Sequence, residues 1–204
     1  KQKGEACAAA GIVAGRVPFA AGTATEEVVR KLRALGADPD VHGILVQLPL
    51  AAPADGQAVL EAIPPFKDVD GFHPENAGRL ALGLPGFVPA TPHGVLRLLQ
   101  HYEIPTKGRH AVVLGRSHIV GRPMSILLSS KGCDATVTVG HSASGPLLRS
   151  MAREADLLIA AVGLAFAAYA SLMDESKRLR SVFALISILL LAFSAFQFAA
   201  TYLA

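Results

Sequence analysis

Apolar positions follow helical spacing in several segments of the first hundred residues. Such segments are Lys3–Ala10, the stretch after Thr25 that stops at Gly36, Gly56–Ala62 and Pro92–His101. Thr25 is expected to be the N-cap of its helix. The short apolar run Gly43–Val46 has the length of a buried strand. The stretch from Pro64 to Pro92 is rich in proline and glycine, so it is predicted to be mostly loop.

A more regular series begins after Gly108. The pattern predicts strands at His110–Leu114, Ala135–Val139 and Asp156–Val162, a turn at Gly115–Gly121, and helices at Arg122–Ser130 and Gly145–Glu154. Strand and helix alternating in this way are typical of a parallel sheet in an α/β fold, the Rossmann-like dinucleotide-binding domain. Right-handed crossovers would bring the turns at Gly115 and Gly140 to one carboxyl edge of the sheet.

The end of the chain has a different pattern. No charged residue occurs in the 24 positions from Ser181 to Ala204. As a helix this segment would be about 36 Å long, enough to cross a hydrocarbon core of about 30 Å. The preceding basic segment Lys177–Arg180 favours a cytoplasmic start. We therefore predict a linker at 164–180 and an apolar C-terminal transmembrane helix at 181–204, with a buried core helix as the alternative.

Composition narrows the class of protein. With 51% hydrophobic and 17% charged residues the chain is not intrinsically disordered. A net charge of +3, no Trp and 6% aromatic residues give no reason to expect nucleic-acid binding. His42, His73 and His118 lack the spacing of metal ligands, so no metal site is predicted. Of the two cysteines, Cys133 follows a helix and is expected to pack rather than react.

The turn Gly115–Pro123 has the sequence GRSHIVGRP and lies between a predicted strand and a predicted helix. Backbone N–H groups at such a turn can bind phosphate, and Arg116 and Ser117 are candidate phosphate ligands. The segment Gly140–Ser142 ends the next strand, where the ribose of an adenosine would lie. Because the spacing is not G-x-G-x-x-G, an ordinary turn with a solvated arginine remains the alternative.

Four motifs that occur in order resemble one enzyme family. They are VHGILVQLPL at 41–50, KDVDGF at 67–72, GFVPATP at 86–92 and GRSHIVGRP at 115–123. Together they resemble methylenetetrahydrofolate dehydrogenase/methenyltetrahydrofolate cyclohydrolase, the bifunctional folate enzymes of one-carbon metabolism. The resemblance implies oxidation of 5,10-methylenetetrahydrofolate by NADP, with NAD as the alternative cofactor, and hydrolysis of 5,10-methenyltetrahydrofolate.

The resemblance also implies a domain organisation. A folate-binding catalytic domain would occupy 1–92, and an NADP-binding domain would occupy 93–163. Both would lie in the cytoplasm, and the cofactor domain would form a homodimer. The family's tyrosine before Lys3 and its strands after Gly163 have no match in this sequence, so the chain is expected to be weak or inactive as it stands. A membrane-tethered, non-catalytic remnant or chimeric interaction protein, with 181–204 in contact with a membrane, is the alternative function.

Single residues acquire roles from the same resemblance. Lys3 matches the lysine that activates water or moves protons, and Gln47 matches the glutamine that hydrogen-bonds this lysine. Asp70 matches the aspartate that binds the pterin ring, whereas Asp68 is interpreted as a structural residue of the turn. The implied cofactor residues are Gly115, Arg116, Ser117, Gly121, Pro123, His141 and Ser142. Among these, Arg116, Ser117 and Ser142 would bind the 2′-phosphate of NADP.

Overall fold

The computed structural model describes residues 2–161, which divide into two compact units at the Lys67–Asp68 peptide. No helix in this part of the chain is long and apolar enough to cross a membrane. The linker and the transmembrane helix predicted at 164–204 lie outside the described residues.

The first unit contains three helices, α1 (Gln2–Ala9), α2 (Thr25–Ala37) and α3 (Gly56–Glu61), and a 3-10 turn at Pro65–Lys67. The prediction of Thr25 as an N-cap is wrong, because Thr25 is the first residue of α2 and makes no capping hydrogen bond. Its hydroxyl oxygen accepts instead from the N–H of Asp55 at 2.9 Å. The carboxylate of Asp55 in turn caps α3. Thr25 therefore bonds to the residue that caps α3 and does not cap α2.

The strand expected at Gly43–Val46 does not form. Only Ile44 pairs, through one hydrogen bond of 2.7 Å from its N–H to the carbonyl oxygen of Lys67. Ile44 is buried while Leu45 is 42% exposed. An apolar run becomes a strand only when a neighbouring chain segment pairs along it. Among the described residues, Lys67 supplies such pairing at a single position.

The second unit begins with helices α4 (Pro74–Leu82) and α5 (Ala90–His101). The prediction that 64–92 is mostly loop therefore missed α4. This helix begins with proline, which is favourable at the first helical position because the N–H it lacks would be unpaired there. The ring of His73 caps the helix, and Gly83 ends it with a left-handed φ of 68°.

The rest of the second unit is the predicted α/β series. It consists of β1 (His110–Leu114), α6 (Gly121–Ser129), β2 (Thr136–Gly140), α7 (Leu147–Glu154) and β3 (Leu157–Ala160). The three strands are parallel in the order β2-β1-β3. Residues 111–113 of the central strand are fully buried. Alternate residues of β1 pack against α5 and α6 on one face and against α7 on the other.

Candidate functional site

The carboxyl ends of β1 and β2 meet as the crossover rule predicted. The N–H of Gly115 donates to the carbonyl oxygen of Gly140 at 2.7 Å. Gly115 has a φ of 116°, and a Cβ on this residue would lie 3.1 Å from the carbonyl oxygen of Ala161. Both the backbone conformation and the close approach therefore require glycine at the start of this turn.

Helix α6 begins directly against the same turn. A Cβ on Gly121 would lie 2.6 Å from the carbonyl carbon of Gly115 and closer still to its oxygen. Pro123 is buried in the first turn of α6. Gly115, Gly121 and Pro123 thus fix the path of the turn, and the side chains exposed on it are those of residues 116–118.

Ser117 has a structural role that its position in the motif did not reveal. Its hydroxyl oxygen accepts from the N–H groups of Val120 and Gly121, each at 3.2 Å. Its carbonyl oxygen accepts from the N–H of Arg122 at 2.9 Å. These three N–H groups are therefore bonded within the turn, while the phosphate contacts expected elsewhere in the turn stay a prediction. The two lone pairs of the hydroxyl are occupied, so its proton is the group left to meet a ligand.

The charged side chain of the turn is exposed. Within residues 2–161, Arg116 takes part in no ion pair. On the neighbouring loop, the Nδ1 of His141 accepts from the N–H of Ala143 at 3.3 Å, and the hydroxyl of Ser144 accepts from the N–H of His141 at 3.1 Å. This reciprocal capping orders the loop, in which Ser142 is exposed. The edge thus carries a cation and two hydroxyl groups, a donor set suited to phosphate.

The loop that follows Lys67 contains two aspartates in different surroundings. Asp68 is 1% exposed, and its Oδ2 accepts from the N–H of His73 at 2.8 Å and from the Nδ2 of Asn76 at 2.9 Å. This agrees with its interpretation as the structural residue of the turn. Asp70 is half-buried. Gly71 has a φ of 68°, and a Cβ there would lie 2.7 Å from the carbonyl oxygen of Phe87.

The other residues assigned by resemblance belong to the first unit. Gln47 is exposed and its Nε2 donates to the carbonyl oxygen of Leu48 at 3.2 Å. Lys3 lies on α1, and its side chain is outside the described part. The sequence did not single out Lys67, which is 7% exposed and donates from Nζ to the carbonyl oxygen of Asp38 at 2.7 Å. Lysine side chains are normally exposed, so the burial of Lys67 could not be expected from its residue type. The signal that could have drawn attention to it is its position as the first residue of the KDVDGF motif.

Metal binding and thiol reactivity depend on the His, Cys, Asp and Glu side chains. Among residues 2–161, no group of three or more His, Cys, Asp and Glu side chains could hold a metal ion. Burial raises the pKa of the Cys133 thiol, and the negative charge of Asp134 raises it further. A raised pKa lowers the thiolate fraction, so the thiol of Cys133 is expected to react slowly.

A parallel sheet with a glycine turn between β1 and α6 defines an NAD(P)-binding domain of the Rossmann-like class. Two models of one family match the chain, both named tetrahydrofolate dehydrogenase/cyclohydrolase. The model of the catalytic domain matches residues 1–70, and the model of the NAD(P)-binding domain matches residues 89–177. The chain belongs to the tetrahydrofolate dehydrogenase/cyclohydrolase family, which confirms the resemblance of its motifs.

Relatives are similar in both sequence and structure. The bifunctional protein FolD of Desulfovibrio desulfuricans is 52% identical over 165 residues, which are 80% of this chain and 58% of that protein. The methylenetetrahydrofolate dehydrogenase/cyclohydrolase of Campylobacter jejuni superposes with a TM-score of 0.75 at 44% identity, covering 79% of this chain and 57% of that one. The Trypanosoma brucei enzyme, complexed with NADP cofactor and inhibitor, has a TM-score of 0.73 at 37% identity, covering 79% and 55%. The chain thus spans somewhat over half the length of these relatives.

Proposed function

We propose that this chain supplies the cofactor-binding and folate-binding residues of an NADP-dependent methylenetetrahydrofolate dehydrogenase and methenyltetrahydrofolate cyclohydrolase. The observation that carries the proposal is that the carboxyl ends of β1 and β2 lie side by side. There the Gly115–Gly140 hydrogen bond of 2.7 Å brings the turn of Arg116 and Ser117 beside the loop of Ser142. Relatives named bifunctional FolD, and one solved with NADP, support the assignment.

The residues at this edge fit NADP. Arg116 and the hydroxyl protons of Ser117 and Ser142 would bind the 2′-phosphate, and the ordered ring of His141 would lie beside the adenosine. NADP, when bound, supplies the acceptor for the hydride that leaves 5,10-methylenetetrahydrofolate. NAD lacks the 2′-phosphate, so these three side chains would favour NADP.

On the folate side, Asp70 would bind the pterin. A carboxylate can accept two parallel hydrogen bonds from an amino-pyrimidine edge, which explains this residue type. Lys3 would activate water for hydrolysis of the methenyl bridge, and Gln47 would hydrogen-bond the lysine. A lysine acts as a base only when its environment favours the neutral form, and Gln47 as a neutral partner is compatible with that requirement.

Four further features belong to the same proposal. They are domain boundaries at 1–92 and 93–163, a cytoplasmic enzyme part, homodimer formation and a membrane contact through 181–204. The last two each have a direct test. Size-exclusion chromatography with light scattering measures the dimer. Carbonate extraction of membranes tests the contact, since release of the chain into the wash excludes a spanning tail.

The proposal as a whole is tested by calorimetric titration of the full chain with NADP, NAD and 5,10-methenyltetrahydrofolate in turn. We expect binding of NADP, weaker binding of NAD, and independent binding of the folate. Absorbance of NADPH then reports oxidation of 5,10-methylenetetrahydrofolate. A folded chain that binds neither NADP nor the folate would overturn the proposal.

A further inference from the structure

The buried carboxylate of Asp68 forms hydrogen bonds within the loop that contains Asp70. The Oδ2 of Asp68 accepts from the N–H of His73 and from the side chain of Asn76, at 2.8 Å and 2.9 Å. Its carbonyl oxygen accepts from the N–H of Gly71 at 3.3 Å. Asp68 is therefore bonded to three residues that follow it in the chain, and Val69 and Asp70 lie between Asp68 and the first of these partners, Gly71.

The attachment points are themselves fixed. The Nδ1 of His73 accepts from the N–H of Glu75 at 3.0 Å, so His73 is held at the start of α4. Gly71 lies against the carbonyl group of Phe87, where even a Cβ would not fit. The carboxylate of Asp68 links the start of α4 to the turn, in addition to the backbone bond that the carbonyl oxygen of Asp68 accepts from Gly71.

We propose that Asp68 is a positioning residue, which together with Asn76 holds the Asp70 carboxylate in the orientation that receives the pterin of the folate. The inference rests on the folate role proposed for Asp70. Two parallel hydrogen bonds to one carboxylate require its plane to be fixed, because both are lost when the plane rotates. A turn that is free to move would sample many orientations and bind the folate more weakly.

Four variants of the full chain test this role, with 5,10-methenyltetrahydrofolate and NADP titrated separately by calorimetry. We expect Asp68→Ala to weaken folate binding about tenfold or more, as for loss of hydrogen bonds to a charged group. Asn76→Ala, which removes one of the two bonds, is expected to have a smaller effect in the same direction. In Asp68→Asn the remaining carbonyl oxygen can accept both bonds, so we expect it to rescue folate affinity. Asp70→Asn reports the folate contact itself.

NADP affinity and the urea midpoint separate positioning from general stability. The proposed NADP side chains lie in the same unit as Asp68, so unchanged NADP binding with weakened folate binding supports the positioning role. Equal losses of NADP affinity and folate affinity in Asp68→Ala and Asn76→Ala would overturn it. Unchanged folate affinity in both of these variants would also overturn it, provided that Asp70→Asn binds the folate more weakly. If Asp70→Asn itself leaves folate affinity unchanged, the folate role of Asp70 fails, and the positioning role fails with it.

Discussion

The first residue of α6, Gly121, lies against the carbonyl group of Gly115, with room for a hydrogen atom and no room for a methyl group. A Cβ at position 121 would be 2.6 Å from the carbonyl carbon of Gly115 and 2.9 Å from the backbone nitrogen of Arg116. These atoms are backbone and cannot rotate away. The distance between the β1 turn and α6 therefore depends on the absence of a side chain at this one position.

Substitution of Gly121 by alanine should destabilise the second unit. Because helix and turn must separate, we expect the free energy of unfolding to fall by about 2 kcal/mol, in the range of overpacked cores. NADP affinity should fall as well, since the displaced turn carries Arg116. Urea unfolding and NADP titration measure the two effects.

Gly94→Ala is the matched control. Gly94 lies inside α5, is exposed and has no atom within 4 Å of a built Cβ. Alanine there should raise the free energy of unfolding by about 0.5–1 kcal/mol, because glycine loses more backbone entropy in a helix. A similar loss of stability in both variants would contradict the role given to the Gly121–Gly115 contact.

Replacing Arg116 by alanine should change cofactor preference more than stability. The side chain is exposed, so its loss should change the free energy of unfolding by less than about 0.5 kcal/mol. We expect NADP affinity to fall about 10- to 100-fold, as for loss of a charge-assisted hydrogen bond, while NAD affinity changes little. Calorimetry with both cofactors gives the ratio.

The control for this charge change is Arg97→Ala. Arg97 is exposed on α5 and hydrogen-bonds only to Gln100 among the described residues. It changes net charge by the same amount as Arg116→Ala, so any general electrostatic effect on NADP binding appears in both variants. Equal losses of NADP affinity would show that Arg116 does not contact the phosphate.

Two substitutions should separate the two roles of the Ser117 hydroxyl, as acceptor for backbone N–H groups and as donor to a ligand. Ser117→Ala removes the acceptor of two backbone N–H groups, and we expect a loss of about 1 kcal/mol in the free energy of unfolding. Ser117→Asp keeps an acceptor there and places negative charge at the start of α6, which favours the helix. It should therefore retain stability but repel NADP, as urea unfolding and NADP titration would show. Unimpaired NADP binding by Ser117→Asp would contradict a phosphate beside this residue.

Much of the second unit could be predicted from its sequence. The apolar run His110–Leu114 is bounded by polar residues and glycine, and the strand has these same ends. The meeting of Gly115 and Gly140 follows from chain topology alone, since right-handed crossovers leave parallel strands with a common carboxyl edge.

The errors arose where a residue's partner is remote in sequence. The hydroxyl of Thr25 bonds to Asp55, 30 residues away, and no local pattern indicates this choice. Within residues 2–161, no neighbouring segment extends the pairing of Ile44 beyond its bond to Lys67. The structural role expected of Asp68 agrees with its burial, but its partners His73 and Asn76 could not be derived from the spacing of the two aspartates.

The thiol of Cys133 should react slowly, and its reactivity should increase when Asp134 loses its charge. Burial is the larger cause of the raised thiol pKa, and the Asp134 carboxylate is the smaller one. Asp134→Asn removes only the second cause, so the thiol pKa should fall part of the way toward its ordinary value. Asp134 has a φ of 53°, a left-handed conformation that asparagine adopts readily. The backbone should therefore be unchanged.

The measurement is the rate of alkylation as a function of pH, made in a Cys7→Ser background so that only Cys133 reacts. Because the thiolate is the reacting species, the rate in Asp134→Asn should exceed that of the parent below the thiol pKa and equal it well above. The midpoint of the profile should move to lower pH. A profile that is unchanged in Asp134→Asn would show that burial alone sets the pKa, while a rate that rises equally at every pH would indicate a change in exposure of Cys133.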